Sequence, residues 1–195
     1  MKFKKNCLKT VAAMGLALTM AFSQLPLSEA VSSIDYIKGK DRYLTAGLIA
    51  GRQSYSTAIL VNSSNSLADG LSASGLAGVV KAPILLTKRD SLPRETELRL
   101  GATNKVYIIG STGSVGQKIE DDLKRGGMNV IRIGGKDRYE TSNNVANEIL
   151  RVKGAIGKAF IANGKIGEAD AMSISSVAAR DGEPIILVSQ NNISF

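Results

Sequence analysis

The stretch Gly39-Lys40-Asp41-Arg42-Tyr43 returns later in the chain as Gly135-Lys136-Asp137-Arg138-Tyr139. In both copies a threonine stands two residues after the tyrosine, as Thr45 and Thr141. An aspartate in this setting favours the start of a helix, because its side chain can accept a hydrogen bond from a free backbone N–H group of the first turn. The repeated stretch therefore predicts two structural units that begin in the same way.

The sequence that follows each copy is also repeated. The shared positions are Asn62, Asp69, Ser72, Ser74, Ala77, Pro83 and Ile84 in the first unit, and Asn163, Asp170, Ser173, Ser175, Ala178, Pro184 and Ile185 in the second. A short insertion near residues 153–158 lengthens the second unit. We predict a first repeat at residues 34–133 and a second at 134–195. The second repeat lacks counterparts of the last strands of the first, so we expect the chain to be a truncated product.

Segments with strand and helix patterns alternate along both units. Apolar runs without polar alternation, typical of strands that are covered on both faces, occupy residues 57–61, 83–87, 105–109, 129–133, 158–162 and 184–189. Residues 34–37 suggest one more short strand, and residues 67–80 predict a single helix rich in Ala, Ser and Gly. This alternation predicts the α/β class, with tandem repeats, mainly parallel sheets and an incomplete second repeat.

Residues 1–30 have the pattern of a secretory signal peptide. A basic start precedes an apolar run at residues 10–22, which is short for a bilayer span. Small residues before the boundary predict cleavage between Ala30 and Val31. The only cysteine, Cys7, lies in this leader, so no thiol would remain in the mature chain. We expect a secreted protein at the cell surface that does not contact the membrane once the leader is removed.

The charge of the chain is moderately positive. The formal net charge of +8 includes four lysines and one glutamate of the leader, so the remainder carries +5. This balance weakly favours acidic partners. With four Phe, five Tyr and no Trp, the chain has little material for stacking bases, and we expect no nucleic-acid partner.

The motifs resemble the type 2 clostridial cell wall-binding repeat. The resemblance rests on the repeated pentapeptide with its threonine, on Leu67-Ala68-Asp69, on Pro83-Ile84-Leu85-Leu86, and on Lys105 to Gly110 before a glycine-rich turn. It covers nearly all of residues 34–195. It implies one α/β unit per repeat, three of which pack as a pseudo-trimer. It also implies non-covalent attachment of an exported Gram-positive protein to an anionic wall polymer, such as a polysaccharide or a teichoic-acid-like chain.

The resemblance further implies surface-layer proteins as possible partners. It also makes the strand motif Pro83-Ile84-Leu85-Leu86, which recurs as Pro184-Ile185-Ile186-Leu187, a candidate for ligand binding. Physically, both copies of this motif are first of all buried strands, so their side chains would contribute shape and packing. We expect a departure from the family pattern, because the printed sequence holds about one and two-thirds repeats, without a third repeat or an effector domain.

Two arginines are the leading candidates for contact with phosphate or carboxylate groups. A guanidinium offers two parallel N–H donors that suit an oxyanion, and Arg42 and Arg138 both stand at predicted helix starts. Lys40 and Lys136 would add longer-range attraction. An alternative of equal weight is that each arginine pairs with its neighbour Asp41 or Asp137 and only holds the turn.

Polar loops follow the first buried strand of each unit. Asn62 and Asp69 belong to the first of these segments, and Asn163 and Asp170 to the second. In open α/β sheets, ligands usually bind beyond the carboxyl ends of the strands, so these side chains are candidates for contact with a hydrated glycan. The competing interpretation is ordinary turn and capping chemistry.

Two enzyme interpretations are weaker. Gly110, Gly113 and Gly116 after a strand invite a dinucleotide site, but the spacing differs from the usual fingerprint and no acidic residue ends the next strand. A wall hydrolase is the second, yet the chain has no histidine for a zinc site or a nucleophile pair. We therefore expect no catalysis, no cofactor and no metal. The alternative function is the targeting region of an amidase-type peptidoglycan hydrolase whose catalytic domain lies elsewhere.

Overall fold

A computed structural model describes residues 35–64 and 66–189. The predicted signal peptide, with its cleavage site at Ala30 and Val31, lies outside the described residues, as do residues 190–195. The described elements are α1 (Arg42–Ala50), β1 (Thr57–Asn62), α2 (Ala68–Ser72), α3 (Ser74–Val80), β2 (Ile84–Thr87), α4 (Arg94–Leu100), β3 (Lys105–Ile109), α5 (Gln117–Arg125), β4 (Asn129–Ile133), α6 (Arg138–Lys153), β5 (Phe160–Asn163), α7 (Glu168–Asp181) and β6 (Ile185–Val188).

The first four strands form one parallel sheet in the order β2-β1-β3-β4. Ile59 of β1 lies opposite Ile84 of β2 on one side and opposite Tyr107 of β3 on the other. Helices between the strands make parallel pairing possible, because a parallel crossover must return the chain to the same end of the sheet. The predicted α/β class with mainly parallel pairing is confirmed.

Alternate residues of these strands enter two different apolar clusters, as the period of a strand requires. On one face, Leu60, Leu85 and Ile108 pack with α1, α4 and α5. On the other face, Ile59 and Tyr107 pack with α3 and with Val145 and Ile149 of α6. Helix α6 follows the second pentapeptide, so the first helix of the second sequence repeat covers the sheet of the first.

The second repeat contributes a two-stranded parallel sheet, β5-β6. Ile185 and Leu187 of β6 are buried in a third apolar cluster, which also contains Ala68 and Leu71 of α2. The two sequence repeats therefore bury apolar surface against each other. Consistent with this packing, the described residues from Ile37 onward belong to one compact unit.

Helices α3 and α7, which occupy matching positions in the two repeats, make the closest contact between them. A Cβ placed on Gly78 of α3 would lie 1.7 Å from the carbonyl oxygen of Ala179 on α7. The position of the added Cβ and that of the carbonyl oxygen are both fixed by the backbone, so no change of rotamer could relieve such a clash. Glycine at this position is required for the observed helix spacing.

Two expected elements differ from the structure. Residues 35–39 form no strand, and no described strand pairs with them. The helix expected at 67–80 is divided into α2 and α3 at Ala73. The hydroxyls of Ser72 and Ser74 donate to the carbonyl oxygens of Asp69 and Gly70 near this break, and such bonds compete with the regular helix pattern.

None of the helices in the described ranges is both long enough and apolar enough to cross a membrane. The same ranges contain no group of three or more metal-ligating Cys, Asp or Glu side chains.

Candidate functional site

The first pentapeptide folds into a compact helix start. The backbone N–H of Gly39 donates to Thr45 Oγ1 over 3.0 Å, and that hydroxyl donates to the carbonyl oxygen of Asp41 over 2.9 Å. Asp41 Oδ1 in turn accepts from the backbone N–H of Leu44 over 2.8 Å. The second copy repeats these three bonds at the same lengths, among Gly135, Thr141, Asp137 and Glu140. Both aspartates are therefore helix caps.

The two arginines tie each helix start to a distant loop. Arg42 Nη1 donates to the carbonyl oxygen of Ser63 over 2.6 Å. Arg138 Nη1 donates to the carbonyl oxygen of Gly164, also over 2.6 Å. Within the described residues, neither arginine forms an ion pair with the aspartate before it, so the local-pair alternative is not what the structure shows. The other guanidinium nitrogens have no hydrogen-bond partner in that part of the chain.

The two lysines of the pentapeptides have different surroundings. Lys40 Nζ lies 3.1 Å from Glu95 Oε1, and the hydrogen bond between them raises the pKa of the lysine. Lys136 is exposed, and its backbone N–H donates to Glu140 Oε2 over 2.9 Å. The second helix start thus resembles a capping box. The difference is that the Glu140 side chain accepts from Lys136, the residue before the cap, and not from the cap residue Asp137 itself. Of these two lysines, Lys136 is the one whose ammonium group has no ion-pair partner among the described residues.

The two asparagines at the ends of β1 and β5 form matching turns. Asn62 Oδ1 accepts from the backbone N–H of Ser64, and Asn163 Oδ1 accepts from that of Lys165, both over 2.8 Å. Asn62 also donates from Nδ2 to the carbonyl oxygen of Ser114 over 2.7 Å. The turn chemistry considered as the alternative for Asn62 and Asn163 is therefore present. The bond to Ser114 additionally connects the loops that follow β1 and β3.

That connection marks the switch point of the sheet. The chain runs from β1 to β2 on one side and then crosses to β3 on the other side of β1. Loops at the carboxyl ends of two such strands diverge and leave a crevice, which is where open α/β sheets usually bind ligands. The loops after β1, β3 and β4 meet there.

A crevice of about 180 Å³ lies among these loops and the start of α6. Its walls combine hydroxyl, carboxylate, cationic and backbone groups: Ser66, Ala68, Asp69, Ser111, Ser114, Gly135, Lys136, Asp137, Arg138 and Thr141. An adjoining hollow of about 220 Å³ shares Ser66, Asp69 and Ser114 with it and is also lined by Asn62 and Gly113. The structure thus brings together four of the sequence-predicted candidates, Asn62, Asp69, Lys136 and Arg138.

Asp69 is the central acceptor of the crevice. Its Oδ2 accepts a 3.0 Å hydrogen bond from Ser114 Oγ. Burial raises the pKa of this carboxyl group, while the bond from Ser114 and the charge of Arg138 oppose the rise. Gly110, which has a φ of +113°, leaves room for the carboxylate, because a Cβ there would lie 2.7 Å from Asp69 Oδ2. The glycine-rich turn is a wall of this crevice.

The remaining candidates lie elsewhere. Asp170, the counterpart of Asp69, is exposed on α7 and does not line the crevice. Lys40 and Arg42 lie at the start of α1, which is also outside it. Ser66 belongs to the polar loop after β1 that the sequence already indicated, whereas sequence reasoning missed Ser111 and Ser114. The available signal for these two serines was the glycine-rich turn that contains them.

The strand motif shows different burial in its two copies. Leu85 is in the core, whereas Ile84 and Leu86 are half-buried and line an apolar hollow of about 200 Å³ with Val61, Leu67 and Leu71. In the second copy, Ile185 and Leu187 are buried and Ile186 is half-buried. Both copies of the motif thus pack into the core and also border a hollow, which for the second copy measures about 470 Å³ and is lined by Ile186, Leu187 and Lys136.

Tandem parallel α/β repeats with a polar crevice at the strand ends define a binding module of the repeat type. The family model described as cell wall binding domain 2 matches residues 37–120 and 132–194. The chain belongs to this family, as its motifs indicated. Members of the family are cell wall-binding proteins, so association with the cell wall or cell surface follows from membership.

Two relatives from Bacillus subtilis (strain 168) are similar to most of the chain. The N-acetylmuramoyl-L-alanine amidase LytC is 37% identical over 185 residues, which are 91% of this chain and 36% of the amidase. The amidase enhancer is 35% identical over 167 residues, which are 84% of this chain and 23% of that protein. The chain therefore spans only about a third or less of the length of these curated relatives.

Solved structures show the same fold. Cwp6 from Clostridium difficile superposes with a TM-score of 0.75 at 35% identity, covering 85% of this chain and 28% of Cwp6. Cwp8 from the same organism gives a TM-score of 0.73 at 34% identity, covering 81% of this chain and 28% of Cwp8.

Proposed function

We propose that this chain anchors an exported protein non-covalently to an anionic polymer of the Gram-positive cell wall, without catalysis. The observation that carries the proposal is the duplicated arginine arrangement in a member of a cell wall-binding family. Arg42 and Arg138 each use one Nη1 donor to fix a loop and keep other donors without a partner in the described residues. Fixed guanidinium groups with spare donors suit phosphate or carboxylate oxygens.

Several features support an anionic ligand. Lys136 is exposed beside Arg138 at the start of α6, where the backbone dipoles of the helix also favour negative charge. Because the two arginines lie in separate repeats, both can contact the same polymer molecule at once. Two such contacts strengthen binding even when neither site is tight by itself. A teichoic-acid-like polymer or an acidic polysaccharide has the repeated negative charges that this arrangement requires.

The proposal includes export and a surface location. The leader at residues 1–30 would direct secretion, with cleavage between Ala30 and Val31, and the remainder would stay at the wall through its polymer contacts. Other surface-layer proteins are proposed as neighbours of the anchored protein.

A second candidate function is supported by the similarity to the amidase and the amidase enhancer. In that case the chain is the targeting region of a peptidoglycan hydrolase of the amidase type. Both functions require wall binding, and they differ in what the anchored protein does.

The experiment is co-sedimentation of the full chain with purified Gram-positive walls. Arg42→Ala together with Arg138→Ala should weaken binding by about tenfold or more, since hydrogen bonds to charged groups contribute roughly 1.5–3 kcal/mol each. The matched control is Arg125→Ala together with Arg180→Ala, which removes the same charge from exposed arginines paired with Asp122 and Asp181. If both double variants lost the same amount of wall binding, Arg42 and Arg138 would contribute only through the net charge of the chain.

A dye-release assay on labelled walls accompanies the sedimentation. The chain should sediment with the walls and release no dye. Release of dye above that of a buffer control would contradict the non-catalytic proposal.

A further inference from the structure

The crevice around Asp69 has an electrically balanced lining. Asp69 and Asp137 contribute two negative charges, and Lys136 and Arg138 contribute two positive charges. A site built for phosphate would present mainly donors and positive charge, and one built for an ammonium group mainly carboxylates. A balanced lining instead suits a neutral polar group.

Three polar groups of different type remain available in this lining. Asp69 Oδ1, Ser111 Oγ and the guanidinium nitrogens of Arg138 other than Nη1 have no hydrogen-bond partner among residues 35–64 and 66–189. The first only accepts hydrogen bonds when ionised, the last only donates, and the hydroxyl does both. A hydroxyl group of a ligand can donate to the carboxylate while its oxygen accepts from the guanidinium. Adjacent hydroxyls on one ring offer the donors and acceptors that these groups lack, and all three residues line the same crevice.

The size of the crevice limits what it can take. Pockets that enclose drug-sized ligands measure roughly 300–1,000 Å³. The crevice of about 180 Å³ is smaller, while the adjoining hollow of about 220 Å³ continues past the shared residues Ser66, Asp69 and Ser114. This arrangement suits one monosaccharide unit of a longer chain that continues through the hollow.

From these observations we infer that the crevice binds a neutral pyranose unit of the wall polymer through its hydroxyl groups, with Asp69 as the acceptor. The inference rests on the proposed function, because it concerns the same polymer. It divides the recognition between two sets of groups: Arg42, the exposed ammonium group of Lys136 and one free nitrogen of Arg138 attract the charged groups, while Asp69 and the other free nitrogen of Arg138 bind the sugar in the crevice between β1 and β3. Asp69 then provides specificity against polymers that match only in charge.

Substitution of Asp69 separates the two possible occupants by the sign of its effect. If the crevice holds sugar hydroxyls, Asp69→Asn in the full chain weakens co-sedimentation with purified walls by about tenfold, as expected for a lost hydrogen bond to a charged group. If it holds a phosphate, removal of the negative charge strengthens binding. Asp121→Asn is the matched control, because its carboxylate is exposed on α5 and lies outside the crevice. Binding by Asp69→Asn equal to or tighter than that of the Asp121 variant overturns the inference.

Saturation-transfer NMR of the unmodified full chain gives a second readout that does not depend on any variant. The probes are methyl β-D-glucopyranoside, methyl β-D-galactopyranoside, methyl N-acetyl-β-D-glucosaminide and glycerol phosphate. Transfer to at least one glycoside, undiminished by excess glycerol phosphate, supports the inference. Transfer to glycerol phosphate alone, or to none of the probes, overturns it. Failure of the wild-type chain to sediment with walls would instead contradict the proposed function, which keeps the two failures distinguishable.

Discussion

Arg138 on α6 donates a 2.6 Å hydrogen bond to the carbonyl oxygen of Gly164, and Arg42 on α1 makes the same bond to Ser63. The acceptor in each case is the residue that follows the last one of a strand, Asn163 or Asn62. The repeated pentapeptide thus joins the start of a helix to the loop where we place polymer binding. In each arginine, Nη1 fixes the loop, and we propose that the other guanidinium nitrogens bind the polymer.

The contact between α3 and α7 predicts a sharp difference between two glycines. Gly78→Ala should lower the free energy of unfolding by about 1–3 kcal/mol or more, because the added Cβ would overlap the backbone of Ala179. Gly70→Ala is the control, since its Cβ would meet only Val61 Cγ2 at an ordinary 3.5 Å. Urea denaturation of the full chain measures both. Equal stability of the two variants would mean that the helices are less closely packed than the structure shows.

Replacement of Asp69 should stabilise the fold while it impairs binding. Burial raises the pKa of Asp69 in the folded chain, so ionisation at neutral pH opposes folding. Asp69→Asn should therefore raise the Tm at pH 7, with roughly 2–4 °C for each kcal/mol of added stability in a domain of this size. The sign follows from linkage: the penalty is present above the folded-state pKa and disappears as pH falls below the unfolded one. Thermal melts should consequently show a higher Tm for the variant at pH 7, and the Tm values of wild type and variant should converge below pH 4. A lower Tm at pH 7 would contradict this account.

The insertion in the second repeat is held by one carboxylate. Glu183 accepts from Lys153 Nζ over 2.9 Å and from the backbone N–H of Gly157 over 3.3 Å, and the hydrogen bond from the lysine lowers its pKa. A lowered carboxyl pKa adds stability above the unfolded value near 4.5, and this is lost as pH falls through the folded one. Lys153→Met should reduce the Tm at pH 7, with a gap to wild type that narrows in acid.

The control for this prediction is Lys158→Met, which removes the lysine that pairs with Asp181 at a more exposed site. Exposed ion pairs contribute little to stability, so the control should melt close to wild type. A pH-independent gap for Lys153→Met would assign its effect to lost packing.

Salt should weaken attachment to walls. The distance over which charges act falls from about 8 Å at 0.15 M ionic strength to about 3 Å at 1 M. Co-sedimentation at increasing NaCl should show a steady loss of bound chain, and Lys136→Gln should make this dependence shallower. Binding that is constant across the series would rule out an electrostatic anchor.

The sequence was sufficient to predict the parts of the fold that depend on local patterns. The bounds of β3 and β4 agree with prediction because both strands are rich in β-branched and other apolar residues and lie between glycine-containing turns. The caps at Asp41 and Asp137 follow from capping chemistry alone. The strand expected at 34–37 was wrong because apolar residues form a strand only where a partner is available. The break at Ala73 depends on two serine hydroxyls that a periodic pattern does not register.

The candidate site was predicted only in part, for a different reason. Asn62 is the last residue of β1 and Asp69 lies beyond it, whereas Ser111 and Ser114 follow β3. Their meeting depends on the strand order β2-β1-β3-β4. That order is a property of long-range packing, which the spacing of residues along the chain does not encode. The pairing of Lys40 with Glu95 on α4 is another contact of this kind.

Binding to an anionic wall polymer is tested most directly by co-sedimentation of the full chain with two samples of the same walls. One sample is intact, and the other is treated with hydrofluoric acid to remove polymers linked through phosphodiesters. We predict binding to the intact walls and its loss, by about tenfold or more, on the treated walls, since the charged contacts would have no partner. Equal binding to both samples would contradict the account and identify peptidoglycan itself as the ligand.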